Sequence, residues 1–146
     1  MKKDIPKEFL DDFEARRNEF QDTLEQITSL LRLRLGQLAA RTGVRGKITE
    51  SRVKRPVKIW ENTTRAGLTA VEAFTRVEDL LGIRIVCNNL SDIAPIVEMI
   101  RTDCSILNVL GIKDMVSSSS NVGYRATHVR AEFADIFSRD KKRIPC

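Results

Sequence analysis

The sequence predicts an α/β (α+β) protein in which a mixed β-sheet is flanked by helices and led by one long amphipathic helix. Three observations carry this expectation. From Phe9 to Leu38, apolar residues recur by three, four or seven, the spacing of one helical face. Gly82 to Cys87 is nearly all apolar and β-branched, as in a central strand. Around that run, segments of helical period alternate with short strand-like runs, so helices intervene between strands.

Each element has its own signal. A helix from Lys7 to about Arg41 carries the stripe Phe9, Phe13, Phe20, Leu24, Ile27, Leu31, Leu35 and Leu38; Pro6 suits its first turn and Gly43 its stop. The stripe needs cover, either from its own domain, whose sheet needs a partner, or from a second copy in a homo-oligomer. Residues 44–53 read as a strand with Val44, Ile48 and Val53 as apolar contacts. Pro56 opens a short helix to about Arg65, with Gly67 behind it. Thr69 caps a second, Ala70 to Arg76, with Val71, Phe74 and Val77 on one face. Ser91 and Asp92 cap a helix to about Asp103 that turns Ile93, Ile96, Val97 and Ile100 to the core. Ile106 to Ile112 reads as a strand or its approach, Tyr124 to Phe133 alternates like a strand and Arg143 to Cys146 opens one more, so that an antiparallel pair closes the chain; Ser117 to Asn121 is a polar loop.

At 146 residues the chain has the size of one domain, divided here into a helical segment, 1–43, and a main body, 44–146. Its +5 charge favours anionic partners: RNA, a membrane surface or nucleoside triphosphates. Three widely spaced cysteines without a CxxC pair argue against a disulfide framework or a zinc site. Met1-Lys2-Lys3 leads into Asp4 and Pro6 and not into an apolar run, and no stretch has the roughly 20 apolar residues of a membrane span. The expected location is the cytoplasm.

Three clusters could carry chemistry. Arg52 and Lys54, two apart on a strand, point to one face, and Lys58 comes from the first turn of the next helix, whose N-terminus attracts phosphate. Together they make a triphosphate cradle, or else a solvated basic surface. Asp79 is either a Mg²⁺ ligand or an exposed helix-end acid. Arg84, inside an apolar strand, must pair with an acid such as Glu78 or Asp79 or face a ligand cleft. Tyr124 and His128 share a strand face about 13 Å apart, at about 3.3 Å per residue. Tyr124 can stack on a base or edge the core; His128 is a structural or a site histidine.

In this order the clusters resemble the RelA/SpoT-type (p)ppGpp synthetase domain. The resemblance rests on Arg52-Val53-Lys54-Arg55-Pro56, Asp79 to Arg84, Lys113-Asp114 and Gly123 to His128, from about Gly46 onward. It implies a nucleotidyltransferase-like synthetase fold and a GTP diphosphokinase of the stringent response. Such an enzyme moves the β,γ-diphosphate of ATP to the ribose 3′-hydroxyl of GTP or GDP. By the same resemblance Arg52 and Lys54 bind ATP, and Arg84 lies near its adenine or phosphates; the contact of the family's serine and lysine is lost here or moves to Arg55, Lys58 or Arg65. Asp79 holds Mg²⁺, Lys113 meets the acceptor's phosphates, Tyr124 stacks on guanine and His128 orders the acceptor site.

The chain departs from the family pattern in places. Lys58 stands where a serine is expected and Asn62 where a lysine is expected, and Val122 precedes Gly123 where many members have asparagine. The family's Glu-x-Gln-x-Arg motif would follow Cys146, so these 146 residues alone are expected to bind nucleotide weakly and turn over poorly. Three readings compete with the synthetase: a catalytically silent nucleotide-binding module, an enzyme of the same fold acting on a tRNA 3′ end, and a basic RNA-binding domain.

Overall fold

The apolar stripe folds as helix α1, Lys7–Thr42, in a computed structural model that describes residues 4–76, 80–104, 107–114, 126–134 and 143–145. All eight stripe residues are buried, against the protein's own domain. Gly43 ends the helix in the left-handed conformation at φ 78°, its N–H donating to the Ala39 carbonyl at 2.9 Å, a backbone shape that costs glycine nothing. Next come β1, Gly46–Val53, α2, Pro56–Arg65, and α3, Ala73–Arg76. They are followed by β2, Leu81–Cys87, a single 3₁₀ turn, Leu90–Asp92, and α4, Ile93–Asp103; β3, Leu107–Asp114, β4, Thr127–Ala134, and β5, Arg143–Pro145, complete the order.

The α+β class and the long leading helix are as expected, but the strands pair differently. Among the described residues they form two antiparallel sheets, β1-β2 and β3-β4-β5, in place of one mixed sheet. The reason lies at β2. One edge bonds to β1, and the other looks across a cleft to α4 and the start of β4. Nor is β2 buried on both faces like a central strand. It alternates, with Leu81, Ile83 and Ile85 packed inward and Arg84 and Val86 exposed.

Two smaller expectations change. Val71 is 87% exposed, because the helix after Thr69 begins only at Ala73 and leaves Val71 in the preceding turn. Thr69 does tie that turn: its hydroxyl lies 2.9 Å from a Glu72 carboxylate oxygen, which also accepts the Thr69 N–H at 3.2 Å. Val77 lies outside the described residues, as does the Ser117 to Asn121 loop. Neither Ser91 nor Asp92 caps α4 through its side chain, since the 3₁₀ turn intervenes; the buried Asp92 instead accepts from the Asn89 amide at 3.4 Å.

The core is densest at the N-terminal third of α1. The Phe9 ring stacks on Phe74 at 5.2 Å and tilts against Trp60 at 5.0 Å, while Ile59 and Leu80 are fully buried nearby. Cys87 and Cys104 are free thiols. No described helix is long and apolar enough to cross a membrane.

Candidate active site

The outer face of the β1-β2 sheet is built by register. Glu50 stands directly opposite Arg84, and Arg52 directly opposite Gly82. A bulge between Ile48 and Glu50 shifts the phase, so Ile48 packs on the core while Glu50, two residues on, joins Arg52 outside. Gly82 offers no side chain there, and Arg52 lies over it. A Cβ added to Gly82 would stand 3.8 Å from Arg52 Cγ. The three charged groups therefore converge: Glu50 Oε1 is 3.6 Å from Arg52 Nε, and Glu50 Oε2 is 3.8 Å from Arg84 Nη1. Exposed pairs of this kind contribute about 0.2–1 kcal/mol each, too little to hold the sheet together.

Among the described residues Arg84 pairs with Glu50 on the facing strand, and its exposed guanidinium carries no burial cost. Asp79 and Glu78 lie outside the described residues. Leu80, which follows Asp79 in the chain, accepts the Lys54 N–H at 2.8 Å, so the strand entrance adjoins the end of β1.

Two hollows flank this face. Arg52, Lys54, Arg55 and Pro56 share a groove of about 570 Å³ with Phe13, Arg17 and Gln21 of α1. Arg84 lines a cleft of about 520 Å³ with Val86, Asn88, Leu90, Ile93, Val97 and, from β4, Thr127. Arg52 and Lys54 are thus brought together, though not by strand alternation: β1 ends at Val53, and Lys54 is half-buried beyond it. Lys58 does not join them. It points along its own helix to Glu61 at 3.1 Å, so the groove's other cations are Arg55 and, from α1, Arg17.

On the second sheet, Lys113 of β3 stands directly opposite His128 of β4, both exposed. Arg130 lies over Gly111 on the same face. Lys113 and His128 therefore stand side by side on one exposed face. Tyr124, expected on the same face, lies outside the described residues. Period-two reading pairs His128 with Tyr124 and does not find Lys113 opposite it, and it misses Glu50, although its place two residues before Arg52 is a signal. It also misses Arg17 and Gln21, which only tertiary packing brings to the groove.

Among the described residues no three His, Cys, Asp or Glu side chains converge, so these residues build no protein cage for a metal. Glu50, with an arginine at each oxygen, is a poor ligand. In the cleft, burial above all, and Asp92 second, push the Cys87 thiol up, which favours its protonated form.

Fold and faces together define a basic α+β domain with cations arrayed on two sheet faces. The chain belongs to the family of the region found in RelA / SpoT proteins, which matches residues 51–144. It is 31% identical over 86 residues to the GTP pyrophosphokinase YwaC of Bacillus subtilis (strain 168), a match covering 58% of this chain and 40% of that protein. The matched part is thus about two-fifths of the relative's length. In structure it is similar to the small alarmone synthetase 1 from Bacillus subtilis (TM-score 0.72, 20% identity, 92% of this chain and 68% of that one). The same synthetase bound to its product pppGpp gives a TM-score of 0.70 at 19% identity, over 91% and 69% of the two chains. A GTP pyrophosphokinase family protein from Streptococcus pneumoniae gives 0.69 at 17% identity, over 97% and 68%. These likenesses show a shared fold.

Proposed function

We propose that this protein is a (p)ppGpp synthetase, a GTP diphosphokinase acting in the cytoplasm, where nucleoside triphosphates abound and free thiols persist. In the reaction the ribose 3′-oxygen of GTP or GDP attacks the β-phosphorus of ATP. The bond from that phosphorus to the α,β-bridging oxygen breaks, AMP leaves and the hydroxyl proton is released. The observation that carries the proposal is the placement of Arg52 and Arg84 on one sheet face in a chain of this family.

Diphosphate transfer is mainly positioning and charge neutralisation. Arg52, Lys54 and Arg55 bind the donor's phosphates from the groove, and Arg84 meets the donor from the cleft side. Lys113 binds the acceptor's phosphates, His128 orders the acceptor, and Tyr124 stacks on its guanine. Asp79, together with phosphate oxygens, would hold a Mg²⁺ ion, which would supply further charge neutralisation.

One observation favours a second reading, a silent nucleotide-binding module: Lys58 is already paired with Glu61, and Asn62 replaces a cation. The deciding assay follows Mg²⁺-dependent release of AMP from labelled ATP with GDP, GTP or tRNA as acceptor. Equal amounts of AMP and a 3′-diphosphorylated guanosine nucleotide are expected. Nucleotide bound without AMP formed would establish the module, and label on tRNA would reassign the acceptor.

A further inference from the structure

We propose that Glu50 is the resident counter-anion of Arg52 and Arg84, occupying the position that a phosphate group of the bound nucleotide takes over. The inference rests on the synthetase reading and adds to it a residue that tunes donor affinity.

Geometry carries the argument. The bulge after Ile48 turns Glu50 onto the arginine face; unbroken alternation would send it to the core side with Ile48. One carboxylate oxygen serves each arginine, at 3.6 and 3.8 Å. Both distances exceed the 2.7–2.9 Å of a charge-assisted hydrogen bond. The same chain makes short pairs elsewhere: Arg101 grips Glu98 with two bonds at 2.7 and 3.0 Å. Glu50 therefore neutralises its arginines without engaging their donors in short bonds. Its side chain is 43% exposed, and it stands between the groove lined by Arg52 and the cleft lined by Arg84 while lining neither. It can swing to solvent without disturbing the core. A triphosphate brings more charge and more acceptors than one carboxylate, so it displaces Glu50 at a fixed cost in affinity.

The test measures binding of inorganic tripolyphosphate and the steady-state kinetics of AMP formation in Glu50→Gln, with Glu98→Gln as an equal change of net charge at a carboxylate whose partner is Arg101. Glu50→Gln is expected to tighten tripolyphosphate binding about three- to tenfold at low salt. That is the effect of one unit charge a few ångströms away at an effective dielectric constant of about 40–80. The gain shrinks at high salt, KM for ATP falls in step, and kcat stays within about twofold. Glu98→Gln leaves binding unchanged. Unchanged or weaker binding by Glu50→Gln, an equal gain in Glu98→Gln, or no binding by any of the three proteins overturns the inference. If wild type forms AMP and Glu50→Gln behaves identically, the inference fails while the synthetase reading stands. If Glu50→Gln tightens tripolyphosphate binding and no protein forms AMP, the reverse holds.

Discussion

The two sheets are built alike and charged differently. Each is antiparallel, each carries one bulge, and each packs an apolar inner face toward α1. On the outer face of β1-β2 an acid sits between two arginines, whereas on β3-β4 Lys113 faces His128 directly across the strands. The difference traces to the residue beside each bulge: Glu50 in β1, Gly111 in β3. Bulges thus decide which charges meet on a face, while the inner faces only need to be apolar.

The largest effect should come from the inner side, where the β1-β2 half depends on one aromatic cluster. Phe9→Ala removes a fully buried ring that touches both Trp60 and Phe74. Such truncations cost about 3–5 kcal/mol. Urea denaturation should show that loss, and a drop below about 1 kcal/mol would mean that the cluster is not what anchors α1 over this half.

Second in size is the test of the outer faces. On the synthetase reading, Arg84→Ala should lower kcat/KM for ATP about a hundredfold, the scale of removing one charged contact to a transferring phosphate. Lys113→Ala should act on the acceptor, raising KM for GDP more than KM for ATP. If both variants change the same KM, the two faces serve one nucleotide and the division between them is wrong.

How much of this could be read from sequence follows from the same contrast. The α1 stripe, the Pro56 start of α2 and the Gly43 stop depend on local periodicity and backbone preference, so all three were legible. The pairing of Lys113 with His128 was half-legible, because each is a motif residue but their register is a long-range fact. Glu50 shares a face with Arg52 by plain alternation, but its place opposite Arg84 is a long-range register that local reading does not supply. Lys58 lies outside the groove because its helix offers it Glu61 three residues on, a pairing set by helical geometry rather than by the strand before it.

A third prediction sharpens the role of the strand start. A Cβ on Gly46 would lie 2.6 Å from Ile96 Cδ1 and 3.0 Å from Ile85 Cγ2, so β1 enters the core here through a gap that only glycine fits. Gly46→Ala should cost about 1–3 kcal/mol by overpacking, while Gly82→Ala, with its nearest contact at 3.8 Å on the outer face, should be nearly neutral. Equal costs at the two sites would erase the distinction between inner and outer faces of the hairpin.

The smallest effect concerns pH. Burial pushes both the Cys87 and Cys104 thiols up; at Cys104 the Arg34 charge opposes this and Asp103 adds to it. A thiol whose folded pKa lies above its unfolded one binds its proton more tightly when folded. Its contribution is therefore complete below the ordinary thiol range and is lost as pH rises through the folded values. Stability measured by urea denaturation should fall on the alkaline side of that range, and Cys104→Ala should make the fall shallower while lowering stability at neutral pH. An identical alkaline slope in the variant would show that the Cys104 thiol ionises no differently in the folded chain than in the unfolded one.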